Sequence, residues 1–168
     1  LLRWRHPEQG VMLPGDFFFF FEETGLIVQI GNRVLDQACA FLKQLRAIGF
    51  GDVTVAVNAS HREYSQHDFV SGIADRLLAH GLPRGSIEVE LREDGLIRNP
   101  GLGRDVAAQM RALGMPLSVD EFGVGISDLS YLQQLSAGLI KLAKASVHAI
   151  SGDGPGSASG EPAGVSVR

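Results

Sequence analysis

Five side chains in this sequence carry the groups that could do chemistry, and they recur at similar intervals. Asn58, Glu90, Asp120 with Glu121, and Lys141 each stand at the end of a short run rich in apolar residues. The runs are Val53-Thr54-Val55-Ala56-Val57, Ile87-Glu88-Val89, Leu117-Ser118-Val119 and Leu139-Ile140. Asn58, Glu90 and Asp120 follow one another at the roughly 30 residues of one βα unit, and Lys141 comes after a shorter interval. Amide and carboxylate oxygens are hard ligands, suited to Mg²⁺, Mn²⁺ or Ca²⁺ rather than to zinc or copper. A lysine beside such oxygens can orient a phosphate or help activate a cation-bound water. Carboxylates, a cation and a lysine together suggest phosphate-ester chemistry. Ordinary polarity and salt bridges at strand ends are the alternative.

Such groups need a scaffold that brings successive strand ends together. Short apolar runs bounded by turn residues fit buried strands of a parallel sheet. The segments between them carry helical spacing. Val28, Val34, Leu35, Cys39, Leu42 and Leu45 mark a helix over about 27–48, closed by Gly49 and Gly51. Ser65 is a candidate cap for a helix over 66–79, with Gly81 and Pro83 as its stop. A further helix is expected over about 104–113, before Gly114 and Pro116. The alternation of strands and helices gives an α/β chain, and functional groups at the carboxyl ends of parallel strands are the organisation of a (β/α) barrel.

Composition sets outer limits. The chain has 168 residues and is 45% hydrophobic, enough for one sizeable core and, by expectation, one domain. A net charge of −4, with lysines and arginines scattered, provides no basic footprint for nucleic acid or an anionic membrane. Cys39 is the single cysteine and is expected to be a buried helical thiol, so a disulfide framework is excluded and a cytoplasmic setting is expected. No apolar run reaches the ~18 residues of a membrane span. The five histidines lack metal-ligand spacing. Gly123-Val124-Gly125 is too short for a dinucleotide fingerprint.

The two ends differ in character from the middle. Leu1 to Trp4 resembles the end of a strand, and a start without methionine suggests a fragment. His6 to Gly10 is turn chemistry, and Pro14-Gly15-Asp16 offers a helix start with Asp16 as candidate N-cap. The run Phe17–Phe21 would make a helix aromatic all round or an aggregation-prone strand. Ser151 to Arg168 is rich in glycine and serine and is expected to be a disordered tail, separate from a folded unit over 1–150.

Ordered motifs along 1–146 resemble the EAL-domain cyclic-di-GMP phosphodiesterases. Leu1-Leu2-Arg3-Trp4 is similar to residues completing and following the Glu-Ala-Leu signature. Glu22 to Ile27 matches the first helix, Val57-Asn58-Ala59-Ser60 the asparagine strand, and Glu90-Leu91-Arg92-Glu93 the Glu-Leu-Thr-Glu motif. Ser118 to Gly125 resembles the Asp-Asp-Phe-Gly-Thr-Gly loop, with Leu129-Ser130-Tyr131-Leu132 and Lys141 following in register. The resemblance implies a TIM-type (β/α) barrel, here incomplete at about six of eight units. It implies Asn58, Glu90, Asp120 and Glu121 as metal ligands for Mg²⁺ or Mn²⁺, the last toward a second ion. Lys141 would stand beside the attacking water, Glu93 would steady the loop after the acids, and Arg3 would contact a substrate phosphate.

The implied reaction is hydrolysis of cyclic-di-GMP to the linear dinucleotide. A homodimer, or an attached sensor or cyclase domain in a longer parent, would accompany it. The chain's main departures from the pattern are these: the Glu-Ala pair would precede residue 1, Glu121 replaces an aspartate, Ala143 stands where an aspartate is usual, and the later strands give way to the glycine-serine tail. Impaired catalysis is the consequence to expect. A module that binds cyclic-di-GMP or a protein without turnover is the competing function, and a non-functional gene fragment the third.

Overall fold

The computed structural model describes residues 2–123, 131, 135, 137–143 and 147. It opens on a small hairpin, β1 (Trp4–His6) paired antiparallel with β2 (Gly10–Met12). Helices α1 (Pro14–Thr24) and α2 (Leu26–Ala47) follow. Beyond them β3 (Val55–Ala59), β4 (Ile87–Arg92), β5 (Leu117–Phe122) and β6 (Leu139–Leu142) form one parallel sheet in that order. Between its strands run α3 (His61–Tyr64), α4 (Phe69–Ala79), a 3₁₀ turn over Arg84–Ser86, α5 (Glu93–Arg98) and α6 (Pro100–Ala112). The α/β class and a partial barrel hold. Four of its strands lie among the described residues. The expected tail from Ser151 and the segment from Val124 to Ser130 lie outside them.

The main core fills the space between the sheet and its helices. Period-two alternation sends Val57 and Ala59, Val89 and Leu91, and Leu117 and Val119 to one face. Against them pack Leu35, Cys39 and Leu42 of α2, Ile73 and Leu77 of α4, and Val106 and Met110 of α6. Removing each such side chain from water contributes about 1.5–3 kcal/mol, which sets the sheet's orientation against its helices. Cys39 is fully buried, and burial raises its thiol pKa. At Gly31 a side chain would overlap the Glu63 carboxylate, so glycine permits α2 to approach α3 closely.

A second, aromatic cluster holds the hairpin. The phenylalanine run is helical, started by Pro14 in the first turn and stopped by Gly25 at φ 77°. Phe17 and Phe21, one turn apart, are buried with Ile27 and pack on Trp4, the Trp4 and Phe17 rings meeting edge-on at 5.9 Å. Phe19 and Phe20 face solvent. The helix is therefore aromatic all round, with Phe17 and Phe21 buried, Phe18 packed partly buried against them, and Phe19 and Phe20 left outside.

Several local expectations are corrected. Asp16 is not the N-cap of α1; it lies in the first turn and accepts a hydrogen bond from Leu13 N–H at 3.0 Å. Ser65 caps nothing that follows. The helix it was to open starts later, as α4 at Phe69, and a separate one-turn helix, α3, lies before Ser65 and is capped by Ser60. The Ser60 hydroxyl and Glu63 carboxylate close a capping box, which a Ser-x-x-Glu spacing favours over an isolated serine. Strand β3 starts two residues later than expected and carries Asn58 inside it. Of the strand expected to end at Trp4, only Trp4 enters a strand, β1 of the hairpin outside the parallel sheet; Leu2 and Arg3 lie before it, and Leu1 is outside the described residues. Helix α6 starts at Pro100, before Arg104, because Pro100 occupies its first turn and the Asn99 side chain accepts Leu102 N–H.

Candidate active site

The face of the sheet opposite the main core carries the polar groups. Asn58 pairs in register with Glu90, and Glu90 with Ser118, so these three side chains share a row on neighbouring strands. One step further along, Arg92 is in register with Asp120. Lys141, next to Ile140 that pairs with Val119, projects to the same side as Asp120. The residues singled out by spacing on the sheet therefore do converge. Their strands run parallel, so all of them sit toward its carboxyl edge.

Burial and pairing differ sharply within the row. Glu90 is only 6% exposed, and its carboxylate accepts from the Lys141 ammonium, an ion pair that reaches across β5. A buried carboxylate without such a partner would be costly. Asn58 is exposed at the outer strand of the described sheet. The Ser118 hydroxyl between Glu90 and β6 is buried and has no hydrogen-bond partner among the described residues.

The end of β5 is irregular, and that irregularity shapes the site. Pairing with β6 shifts between Val119 and Phe122, and Glu121 adopts φ 54°. Left-handed backbone at a non-glycine residue is uncommon and marks a local twist such as a bulge. Asp120 turns its carboxylate to Glu121 N–H at 2.9 Å. Glu121 sends its own carboxylate to Arg92, whose Nη2 lies 2.8 Å away. Arg92 also donates from Nε to Asp94 at 3.2 Å, and Asp94 receives Arg98 at 3.4 Å. Partial burial works against charge on Arg92, but Asp94, Glu121 and Asp120 outweigh it and hold the guanidinium pKa above its usual value.

Glu93 is 4% exposed at the start of α5 and accepts Gly123 N–H at 3.2 Å, tying α5 to the turn after the two acids. Arg3 is exposed near the hairpin, where its guanidinium donates to the Leu2 carbonyl. None of its hydrogen bonds or ion pairs among the described residues reaches the acids. Three residues that spacing alone passes over join the site: Arg92, Ser118 and Asp94. Arg92 and Ser118 each lie two residues along a strand from a chosen acid, so period two placed them on the same face.

The donor set suits a hard divalent cation: an amide oxygen and two carboxylates, with an unpartnered buried hydroxyl beside them. No group of three or more His, Cys, Asp or Glu is placed to hold an ion among the described residues, so any such site depends on Asn58 as well as the acids.

Residues 1–159 match the EAL domain family. The chain belongs to that family. It is 35% identical over 153 residues to the bifunctional diguanylate cyclase/cyclic di-GMP phosphodiesterase MucR of Pseudomonas aeruginosa, covering 91% of this chain and 22% of that protein. It is also 35% identical over 142 residues to the cyclic di-GMP phosphodiesterase NbdA of the same organism, covering 84% of this chain and 18% of that one. The chain thus spans about a fifth of the length of these relatives. Among solved structures, the MucR phosphodiesterase in complex with c-di-GMP superposes with a TM-score of 0.84 at 35% identity, over 91% of this chain and 62% of that one. No helix is long and apolar enough to cross a membrane among the described residues.

Proposed function

We propose that this EAL domain binds cyclic-di-GMP and, with Mg²⁺ or Mn²⁺, hydrolyses it to the linear dinucleotide. The observation that carries the proposal is the convergence of Asn58, Glu90, Asp120 and Lys141 on one polar face of the sheet, in a chain related to cyclic-di-GMP phosphodiesterases. Asn58, Glu90 and Asp120 would hold the cation, which when bound supplies electrophilic activation of the phosphate and of a water.

The chain's own residues would do the rest. In the reaction, water oxygen bonds to phosphorus, one phosphorus–ribose oxygen bond breaks, and the released hydroxyl takes up a proton. Lys141, held against Glu90, would fix the water or a phosphate oxygen beside the acids. Glu93 would keep the turn at Gly123 in place, so that Asp120 stays aimed. Arg3 would serve as a phosphate contact from the hairpin side. The attached sensor or cyclase domain belongs to the same proposal, supported by relatives far longer than this chain, and a homodimer is proposed with it.

Incubation of the purified chain with cyclic-di-GMP and Mn²⁺, followed by chromatography and mass spectrometry, tests it. Linear dinucleotide is expected, and none should form with chelator. Intact cyclic-di-GMP after prolonged incubation, with binding retained, would establish the second function, a binding module without turnover. The Arg92–Glu121 pair, which engages one of the two adjacent acids, specifically favours that second reading.

A further inference from the structure

Two positions at the rim differ from the motifs that the chain resembles. Arg92 stands where the Glu-Leu-Thr-Glu motif has threonine, and Glu121 where the loop motif has its second aspartate. They lie on different strands, and they touch: Arg92 Nη2 is 2.8 Å from Glu121 Oε2. Nothing in sequence proximity requires this contact. It depends on the register that sets Arg92 beside Asp120 and on the backbone at Glu121, which turns to φ 54° at the register shift. Regular alternation would send Glu121 to the core face; the shift brings it out to the guanidinium instead.

Arg92 is held from both sides, by Asp94 at Nε and Glu121 at Nη2. A guanidinium is planar and permanently charged, so this fork is a fixed positive charge beside Asp120. Glu121 gives an oxygen to that charge, and a dication brought to Glu121 would meet a like charge already in place. Asn58 and Asp120 make no ion pair with Arg92, and Glu90 meets only the ammonium of Lys141 on its flexible stem, whereas the Arg92 guanidinium is anchored a second time by Asp94.

We propose that the Arg92–Glu121 pair stands in for a second cation, so that this site takes a single divalent ion through Asn58, Glu90 and Asp120. The inference rests on the cation reading above and adds its stoichiometry. It also makes Glu121 a positioning residue for Arg92 rather than a ligand.

Calorimetric titration of metal-free protein with Mn²⁺, cross-checked by the electron paramagnetic resonance signal of free Mn²⁺, counts the ions directly and needs no turnover. The wild-type chain is expected to bind one Mn²⁺, and Glu121→Gln still one. The double variant Arg92→Thr/Glu121→Asp is expected to gain a second. Both side chains are half exposed, and circular dichroism confirms that each variant is folded. Two ions on the wild type, or loss of the ion in Glu121→Gln, would overturn the inference while leaving the cation reading intact. A folded double variant that still takes one ion would also overturn it. Absence of any ion on the wild type would overturn both. Should the double variant not fold, Glu121→Gln alone decides, since it removes the carboxylate without altering its size.

Discussion

The two faces of the parallel sheet share the same strands and do opposite work. On the helix side, Val57, Val89, Leu91, Leu117 and Val119 are buried against α2, α4 and α6 and contain no polar atom needing a partner. On the other side, Asn58, Glu90, Ser118, Asp120 and Lys141 present oxygens and an ammonium, some buried and paired, some open. Alternate residues of one strand can therefore be assigned to stability and to chemistry independently, because a period of two separates them completely. The helix face tolerates change only at a cost in folding. The polar face should tolerate it at a cost in binding and turnover.

Substitutions on each face sharpen this contrast. The largest effect is expected from Glu90→Gln, which keeps the shape but removes the charge facing Lys141. Turnover of cyclic-di-GMP should fall by about a hundredfold or more, measured as linear dinucleotide formed. Leu91→Ala, one residue along and on the opposite face, should instead cost about 2–5 kcal/mol in denaturant unfolding, from the lost transfer energy and the cavity left. Where enough folded protein remains, its Mn²⁺ stoichiometry should be unchanged. An equal loss of binding in both variants would break the division between the faces.

Smaller effects probe the contacts that place the strand ends. Gly31→Ala would push α2 off the Glu63 carboxylate, and about 1–3 kcal/mol of destabilisation is expected in the same unfolding assay. Ser60→Ala removes the cap of α3, directly after Asn58, and should cost about 1 kcal/mol.

The pH dependence has a definite sign. Burial is the main cause that raises the Glu63 pKa, against the lowering effect of its bonds from Ser60, so the folded chain holds that proton more tightly than the unfolded chain. Stability contributed by this group is complete below the unfolded value of about 4.3 and is lost as pH rises through the higher folded value. Glu63→Gln should flatten the stability profile in that window, as melts across acid to neutral pH would show. An unchanged profile would contradict the assignment.

Much of this was legible in the sequence, for reasons that are local. Apolar runs ending on Asn58, Glu90, Asp120 and Lys141 displayed the strands and their polar tips together, and the α2 pattern placed Cys39 inside. The order of motifs added the family. What escaped depended on contacts between elements. The Lys141–Glu90 pair reaches across an intervening strand, and its existence follows only from register. The Arg92–Glu121 contact needs both the register and a left-handed residue that no propensity favours at glutamate. Ser60 was passed over for Ser65 although its spacing to Glu63 was visible, because the helix after it is only one turn long. The longer helices were easier to see than their starts.

The most direct test is a thermal melt of the purified chain with and without Mn²⁺ plus cyclic-di-GMP, repeated on Asn58→Ala. Asn58 is exposed, so its truncation should leave the unliganded transition in place. Ligands that bind only the folded state add about 2.7 kcal/mol of stability at a hundredfold excess over Kd. A clear upward shift in the wild type, largely lost in Asn58→Ala, is the expected result. A transition that ignores Mn²⁺ and cyclic-di-GMP, or one that shifts equally in both proteins, would contradict the claim that the polar face of this sheet is the binding site.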